Sequence, residues 1–138
     1  KGPLNLTWIG IGGGFDGPNP FNFFNFIHRA PDGCTLTAES LLKNVLPFNA
    51  MALAMGLHPR VGIEDTIIDQ HGKRFTSVQQ IQQTVRIAHE LGREIATGKE
   101  AREIYRIGVQ YKDAEETLRM NGMAPNRQPG QKQVPLRA

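Results

Sequence analysis

The stretch His58-Pro59-Arg60-Val61-Gly62-Ile63-Glu64-Asp65 decides how this chain is read. It is a short apolar, β-favouring run, yet Arg60, Glu64 and Asp65 sit in it with no surface pattern to account for them. As a strand it has period two, so Arg60, Gly62 and Glu64 share one face and Val61, Ile63 and Asp65 the other. Gly62 leaves open space between Arg60 and Glu64, and Asp65 falls where the run gives out into Thr66. Ligands of parallel α/β folds bind at the carboxyl ends of strands. The cluster is therefore either a site or a buried Arg–Glu ion pair, and the stretch alone leaves both open.

Working outward on the amino-terminal side, residues 4–11 (LNLTWIGI) predict a buried strand that ends in glycines. Asn19 as N-cap and Pro20 as first residue start a helix that carries Phe21, Phe23, Phe24, Phe26 and Ile27 and stops before Pro31. A helix this apolar needs more than one surface to bury, which points to a subunit interface or to further parts of the same fold. Residues 34–38 predict a second strand, and residues 41–55 a helix, broken or restarted near Pro47 and stopped by Gly56. Residues 58–64 are the third strand, and residues 66–75 a polar loop over its end.

On the carboxyl-terminal side, Ser77 and Gln80 match a capping box ahead of a helix with Val78, Ile81, Val85, Ala88 and Leu91 on one stripe and Gly92 as its stop. Thr97 and Glu100 repeat the capping box for a shorter helix to Ile107. One or two further helical turns fit residues 113–120. Residues 121–138, rich in proline and polar side chains, read as an extended or disordered tail. Alternating short strands and helices predict an α/β fold of parallel βα units with right-handed crossovers. Three strands are too few to close a (β/α)8 barrel, which takes about 250 residues. The chain is thus a small open α/β domain or a piece of a barrel. Its start at Lys1-Gly2-Pro3, running at once into a strand, reads as an interior segment or a processed product.

Bulk properties exclude several classes. The 138 residues suffice for one domain with a real core, and 39% hydrophobic with 21% charged is ordinary for a soluble protein. No apolar run approaches the roughly 20 residues of a membrane helix. The lone Cys34 excludes an internal disulfide and suits a reducing, cytoplasmic setting. The formal charge of +3 comes from Arg119, Arg127, Lys132 and Arg137, beyond the last acidic residue. Without a clustered basic face interleaved with aromatics, this does not describe a nucleic-acid binder.

Gly12-Gly13-Gly14-Phe15-Asp16-Gly17 matches G-x-G-x-x-G between a strand and a helix. Pro18 and Pro20 push the helix beyond the motif and away from any pyrophosphate. The acidic partner expected about 20 residues on would have to be Asp32, in a turn, or Glu39, which follows the second strand only loosely. Gly12, Gly13 and Gly14 fit better as a loop that lets substrate or co-substrate approach the backbone. His28, His58, His71 and His89 show no metal-site spacing and read as structural or surface residues. Glu64 can supply one carboxylate ligand to a zinc ion, but the chain's motifs do not assemble a whole site.

Gly56-x-His58-x-Arg60-Val61-Gly62-x-Glu64-Asp65 resembles the signature near the end of the β-keto acid cleavage enzymes. The likeness continues through Val85-Arg86-Ile87-Ala88-His89-Glu90-Leu91-Gly92-Arg93-Glu94 and Ala96-Thr97-x-x-Glu100-Ala101-Arg102-Glu103-Ile104, and covers residues 4–108. It implies a zinc-dependent (β/α)8 barrel that splits a β-keto acid with acetyl-CoA, giving acetoacetate and a new acyl-CoA by retro-Claisen cleavage. Residues 1–108 would be the last three βα units, and 109–138 an extension. The resemblance makes Glu64 a zinc ligand alongside two histidines of an H-x-H motif that this chain does not contain. It makes Asp65 and Arg60 the base that starts the reaction. The partners it implies are the remainder of the barrel and further copies of the protein, with neither nucleic acid nor membrane. The sequence departs from the family at Pro59 and Thr66, where Val and Asn are usual, and Pro59 removes a ladder N–H from a central strand. Two other readings stand beside it: a non-catalytic module that oligomerises through the Phe-rich helix, and a small nucleotide-binding α/β protein using residues 12–17.

Overall fold

The computed structural model describes residues 2–11, 17–42 and 45–125. β1 (Asn5–Ile11), β2 (Thr35–Leu41) and β3 (His58–Pro59) form a parallel sheet in the order β1-β2-β3. Between and after them run α1 (Pro20–Arg29), α2 (Val45–Ala54), α3 (Ser77–Glu90), α4 (Gly98–Ile104) and α5 (Ala114–Met120). This is the parallel α/β fold expected. The loop glycines Gly12, Gly13 and Gly14 lie outside the described residues.

The sheet has two unlike faces. Trp8 and Gly10 of β1 are buried, whereas Asn5, Thr7, Ile9 and Ile11 are exposed, which is the period of two a strand imposes. Trp8 packs with Phe23 of α1 and Phe48 of α2, with ring centroids 4.9 and 5.0 Å away, and Ala38 and Ala52 complete the core. A Cβ at position 10 would run into the Trp8 indole, so only glycine lets that ring lie there. α1 is capped as expected: the Asn19 side chain accepts from the Phe21 N–H at 2.8 Å, and Pro20 occupies the first position. Ala30, ahead of Pro31, is extended, as a residue before proline prefers.

Several boundaries differ from the sequence reading. β2 extends to Leu41 rather than ending at Ala38, because all seven of its residues pair with β1. Leu42 then turns with φ 67, and α2 begins only at Val45. Pro47 does not break α2; as its third residue it lacks an N–H that would have had no partner within the helix. β3 is two residues long instead of seven. Pro59 has no N–H to extend the ladder, and after Arg60 donates to the Ala38 carbonyl at 2.8 Å the chain curls. The Asp65 N–H closes that turn onto the Gly62 carbonyl at 3.0 Å, and the Leu42 N–H donates to the Asp65 carbonyl at 2.8 Å. The expected strand alternation from Arg60 to Asp65 is therefore replaced by a turn.

The capping box of α3 is Thr76 with Gln79, one residue earlier than predicted. Ser77 and Gln80 have tertiary duties instead: Ser77 Oγ accepts from the Ile63 N–H at 3.2 Å, and Gln80 Nε2 donates to the Thr66 carbonyl at 2.8 Å. Both bonds brace the turn that carries Glu64 and Asp65. The Thr97–Glu100 box of α4 is as expected. The start of the supposed tail is anchored. Asn121 is 1% exposed, accepts from the Leu4 N–H at 2.8 Å and donates to the Gly2 carbonyl at 3.2 Å. Gly33 fits beneath it because a Cβ there would meet the Met120–Asn121 backbone. These contacts tie the carboxyl-terminal segment to the amino ends of β1 and β2.

Candidate active site

The site is built by sheet register. Ile9 of β1 lies beside Glu39 of β2, and because Pro59 pairs with Ala38, Arg60 follows in line with Glu39. Neighbours in a parallel ladder point the same way, so Glu39 and Arg60 share the face not covered by α1 and α2, at the carboxyl end of the sheet. The turn after Arg60 then brings Asp65 back toward them.

The Arg60 guanidinium is the hub. Its Nη1 donates to Glu39 Oε1, its Nη2 donates to Glu64 Oε2, and Nη1 lies 3.7 Å from Asp65 Oδ1. The three carboxylates are in unlike surroundings: Asp65 is 1% exposed and Glu39 3%, whereas the Glu64 side chain is 70% exposed. No N–H or O–H of a described residue donates to either Asp65 oxygen, and its neighbour there is the Glu39 carboxylate, which a protonated Asp65 reaches by hydrogen bond. Burial, first, and then the Glu39 carboxylate beside it push the Asp65 carboxyl up to about 6, against the pull of Arg60. Arg60 itself is held charged even more firmly than usual, chiefly by its hydrogen bond to Glu39. Three carboxylates share one guanidinium, so full ionisation leaves negative charge unbalanced, and retaining a proton on one of them relieves it. A buried carboxyl that exchanges its proton near neutrality, beside a fixed positive charge, is suited to general acid–base work.

The structure brings Arg60, Glu64 and Asp65 together, though by a turn rather than by strand alternation. It adds Glu39, which the sequence reading set aside as loosely following a strand. An acid placed inside β2 rather than after it was the missed signal; matching the length of β2 to that of β1 would have put Glu39 at the ladder's carboxyl end. His58 takes no part: its ring lies 5.1 Å from Tyr105, and burial lowers its pKa. His28, His71 and His89 are exposed. Among the described residues no group of three His, Cys, Asp or Glu side chains is arranged to hold a metal ion. Glu64 fits as a single ligand, since it faces outward and only its Oε2 is engaged among the described residues. A cavity of about 320 Å³ between α2, the loop after β3 and α3 is lined by Leu42, Val61, Thr66 and Gln80 among others, and by none of these four charged residues.

The sequence profile of the β-keto acid cleavage enzymes matches residues 1–107. The chain belongs to that family. A 3-keto-5-aminohexanoate cleavage enzyme of Acetoanaerobium sticklandii is 34% identical over 107 residues, 76% of this chain and 39% of that protein. One from Fusobacterium nucleatum is 41% identical over 75 residues, 54% of this chain and 28% of that protein. A 3-dehydrocarnitine:acetyl-CoA trimethylamine transferase of Rhizobium meliloti is 28% identical over 86 residues, 62% of this chain and 29% of that protein. The chain thus spans about two fifths or less of the length of these relatives, all of which are named as enzymes. Like the sequence, the described helices contain none long and apolar enough to cross a membrane.

Proposed function

We propose that this chain supplies one wall of the active site of a zinc-dependent β-keto acid cleavage enzyme, which splits a β-keto acid with acetyl-CoA into acetoacetate and a new acyl-CoA. The observation that carries this reading is geometric: the buried Asp65 carboxyl has the Arg60 guanidinium 3.7 Å away at the carboxyl end of a parallel sheet. Residues 1–108 form, on this reading, the last three βα units of a (β/α)8 barrel, followed by an extension over 109–138. Sequentially ordered parallel strands with α1 and α2 packed against one face are what a closing barrel requires, whereas an open doubly wound sheet carries helices on both. The face opposite α1 and α2, where Tyr105 at the end of α4 meets Thr37 and His58 at the amino-terminal side of Glu39 and Arg60, is then barrel interior, and the remaining units cover Ile9 and Ile11. Phe21 and Phe24, 82% and 46% exposed on α1, are left for a neighbouring unit or a second copy of the protein.

In the reaction, Asp65 takes a proton from the carbon between the keto and carboxylate groups, and Arg60 steadies the charges at that end of the site. That carbon bonds to the thioester carbonyl, and the C–S bond breaks with CoA leaving as the thiolate. The thiolate then adds to the original keto carbon. The bond between that carbon and the former nucleophile breaks, and Asp65 returns its proton to the departing fragment. Acetoacetate and an acyl-CoA account for every atom. Zinc, when bound, supplies positive charge against the keto and carboxylate oxygens. Glu64 provides one of its ligands, and the other ligands come from outside the described residues. The loop of Gly12, Gly13 and Gly14 is assigned to the approach of substrate or co-substrate.

The test supplies the protein, assembled with the remainder of the barrel and loaded with zinc, with acetyl-CoA and a panel of β-keto acids and follows acetoacetate and new acyl-CoA by mass spectrometry. Paired products from at least one acid are expected, and Asp65→Asn should lower their formation by about 1,000-fold, in the range for loss of a general base. No product from any acid, or undiminished product with Asp65→Asn, would contradict the reading.

A further inference from the structure

We infer that Glu39 is a positioning residue: its buried carboxylate fixes the Arg60 guanidinium against Asp65 and keeps it there when Glu64 turns to another partner. This deepens the proposed function and rests on Arg60 and Asp65 acting as its proton-transfer pair.

Arg60 is a long side chain, 43% exposed, that two carboxylates hold by opposite ends of its fork. The two are not equivalent. Glu64 comes from the turn four residues on and is 70% exposed, and an exposed pair of that kind holds its partners only weakly. It exchanges readily for water, a cation or substrate. Glu39 comes from the neighbouring strand and is 3% exposed, with the backbones of both partners locked together by the Arg60 N–H to Ala38 carbonyl bond of 2.8 Å. Among the described residues no other cation pairs with Glu39, so its burial is compensated by Arg60. The same Nη1 that Glu39 holds is the one 3.7 Å from Asp65 Oδ1. Glu39 therefore sets the position of the nitrogen nearest the proposed base, and Glu64 does not. Once Glu64 serves a metal ion, Glu39 is the anchor that remains.

The geometry also fixes what each substitution changes. Glu39→Gln keeps the volume and leaves a carbonyl oxygen where Oε1 stood, so Nη1 still has an acceptor, though a weaker one. Glu39→Ala removes the acceptor and frees the guanidinium to follow Glu64. A displacement of about 1 Å in a catalytic group can cost on the order of 100-fold in rate.

The experiment measures kcat and KM for the β-keto acid with the wild-type protein and with Glu39→Gln, Glu39→Ala and Asp65→Asn, each normalised to folded protein by its unfolding transition. Glu39→Ala is expected to lower kcat about 100-fold with KM within about 3-fold, the pattern of an interaction realised in the transition state. Glu39→Gln should recover kcat to within about 10-fold of wild type, a rescue that a purely structural defect would not show once normalised. Wild-type kcat in both Glu39 variants, alongside loss in Asp65→Asn, would overturn the positioning role alone. Undiminished activity in Asp65→Asn would overturn the proposed function and this inference with it.

Discussion

The two faces of the β1–β2 sheet differ by one residue of register and by almost everything else. On the covered face Trp8, Ala38, Phe23 and Phe48 make a dry aromatic core. On the other, Ile9 and Glu39 sit beside those same strand residues, and Arg60 continues the row from the end of β3. The first face holds the fold together through buried area, without directional chemistry. The second places charge where burial makes it costly, which hydrophobic packing on the first must offset. Substitutions on the two faces should therefore separate stability from activity.

The sharpest break in that comparison comes from the core. Phe23 is fully buried between Trp8 and Phe48, and Phe23→Ala should destabilise the protein by about 3–5 kcal/mol. In urea unfolding the midpoint should fall steeply, while kcat per folded molecule stays at the wild-type level. A kcat that fell in the folded fraction would show that the faces are not separable.

A smaller effect, of opposite sign, is expected at Asp65. Its carboxyl keeps its proton to about 6 in the fold, against about 3.9 in an unfolded chain. Between these values the native state binds the extra proton. The stability this supplies is complete below about pH 4 and is lost as pH rises through about 6. Asp65→Asn cannot ionise, so it should be more stable than wild type at pH 8, by on the order of 2 kcal/mol, with the gap closing on acidification. Urea unfolding of both proteins from pH 4 to 8 checks this. A variant less stable than wild type at pH 8 would mean that the Asp65 charge supports the fold rather than straining it.

Much of this was legible in the residues, and the failures have physical causes. β1 and the start of α1 follow from β-rich composition and from Asn19-Pro20, both local signals. Arg60, Glu64 and Asp65 stood out because charge in an apolar run is rarely idle. What local pattern could not supply was tertiary competition. Thr76-Ser77-Val78-Gln79-Gln80 contains two overlapping capping boxes, and the choice between them is made by Ile63 and Thr66, which occupy Ser77 and Gln80. Glu39 was obscured because a buried acid makes a strand look shorter than it is. Asn121 was obscured by the polar, proline-rich stretch after it, although its own side chain docks on Leu4 and Gly2.

The division of labour around Arg60 is the central claim, and zinc affinity measured beside turnover in Glu64→Gln and Asp65→Asn tests it most directly. Glu64→Gln is expected to weaken zinc binding and to lose turnover with it. Asp65→Asn is expected to bind zinc as the wild type does and still fail to turn over. Full activity in both variants, or zinc lost from Asp65→Asn and kept by Glu64→Gln, would contradict the assignment of the metal to Glu64 and of the proton to Asp65.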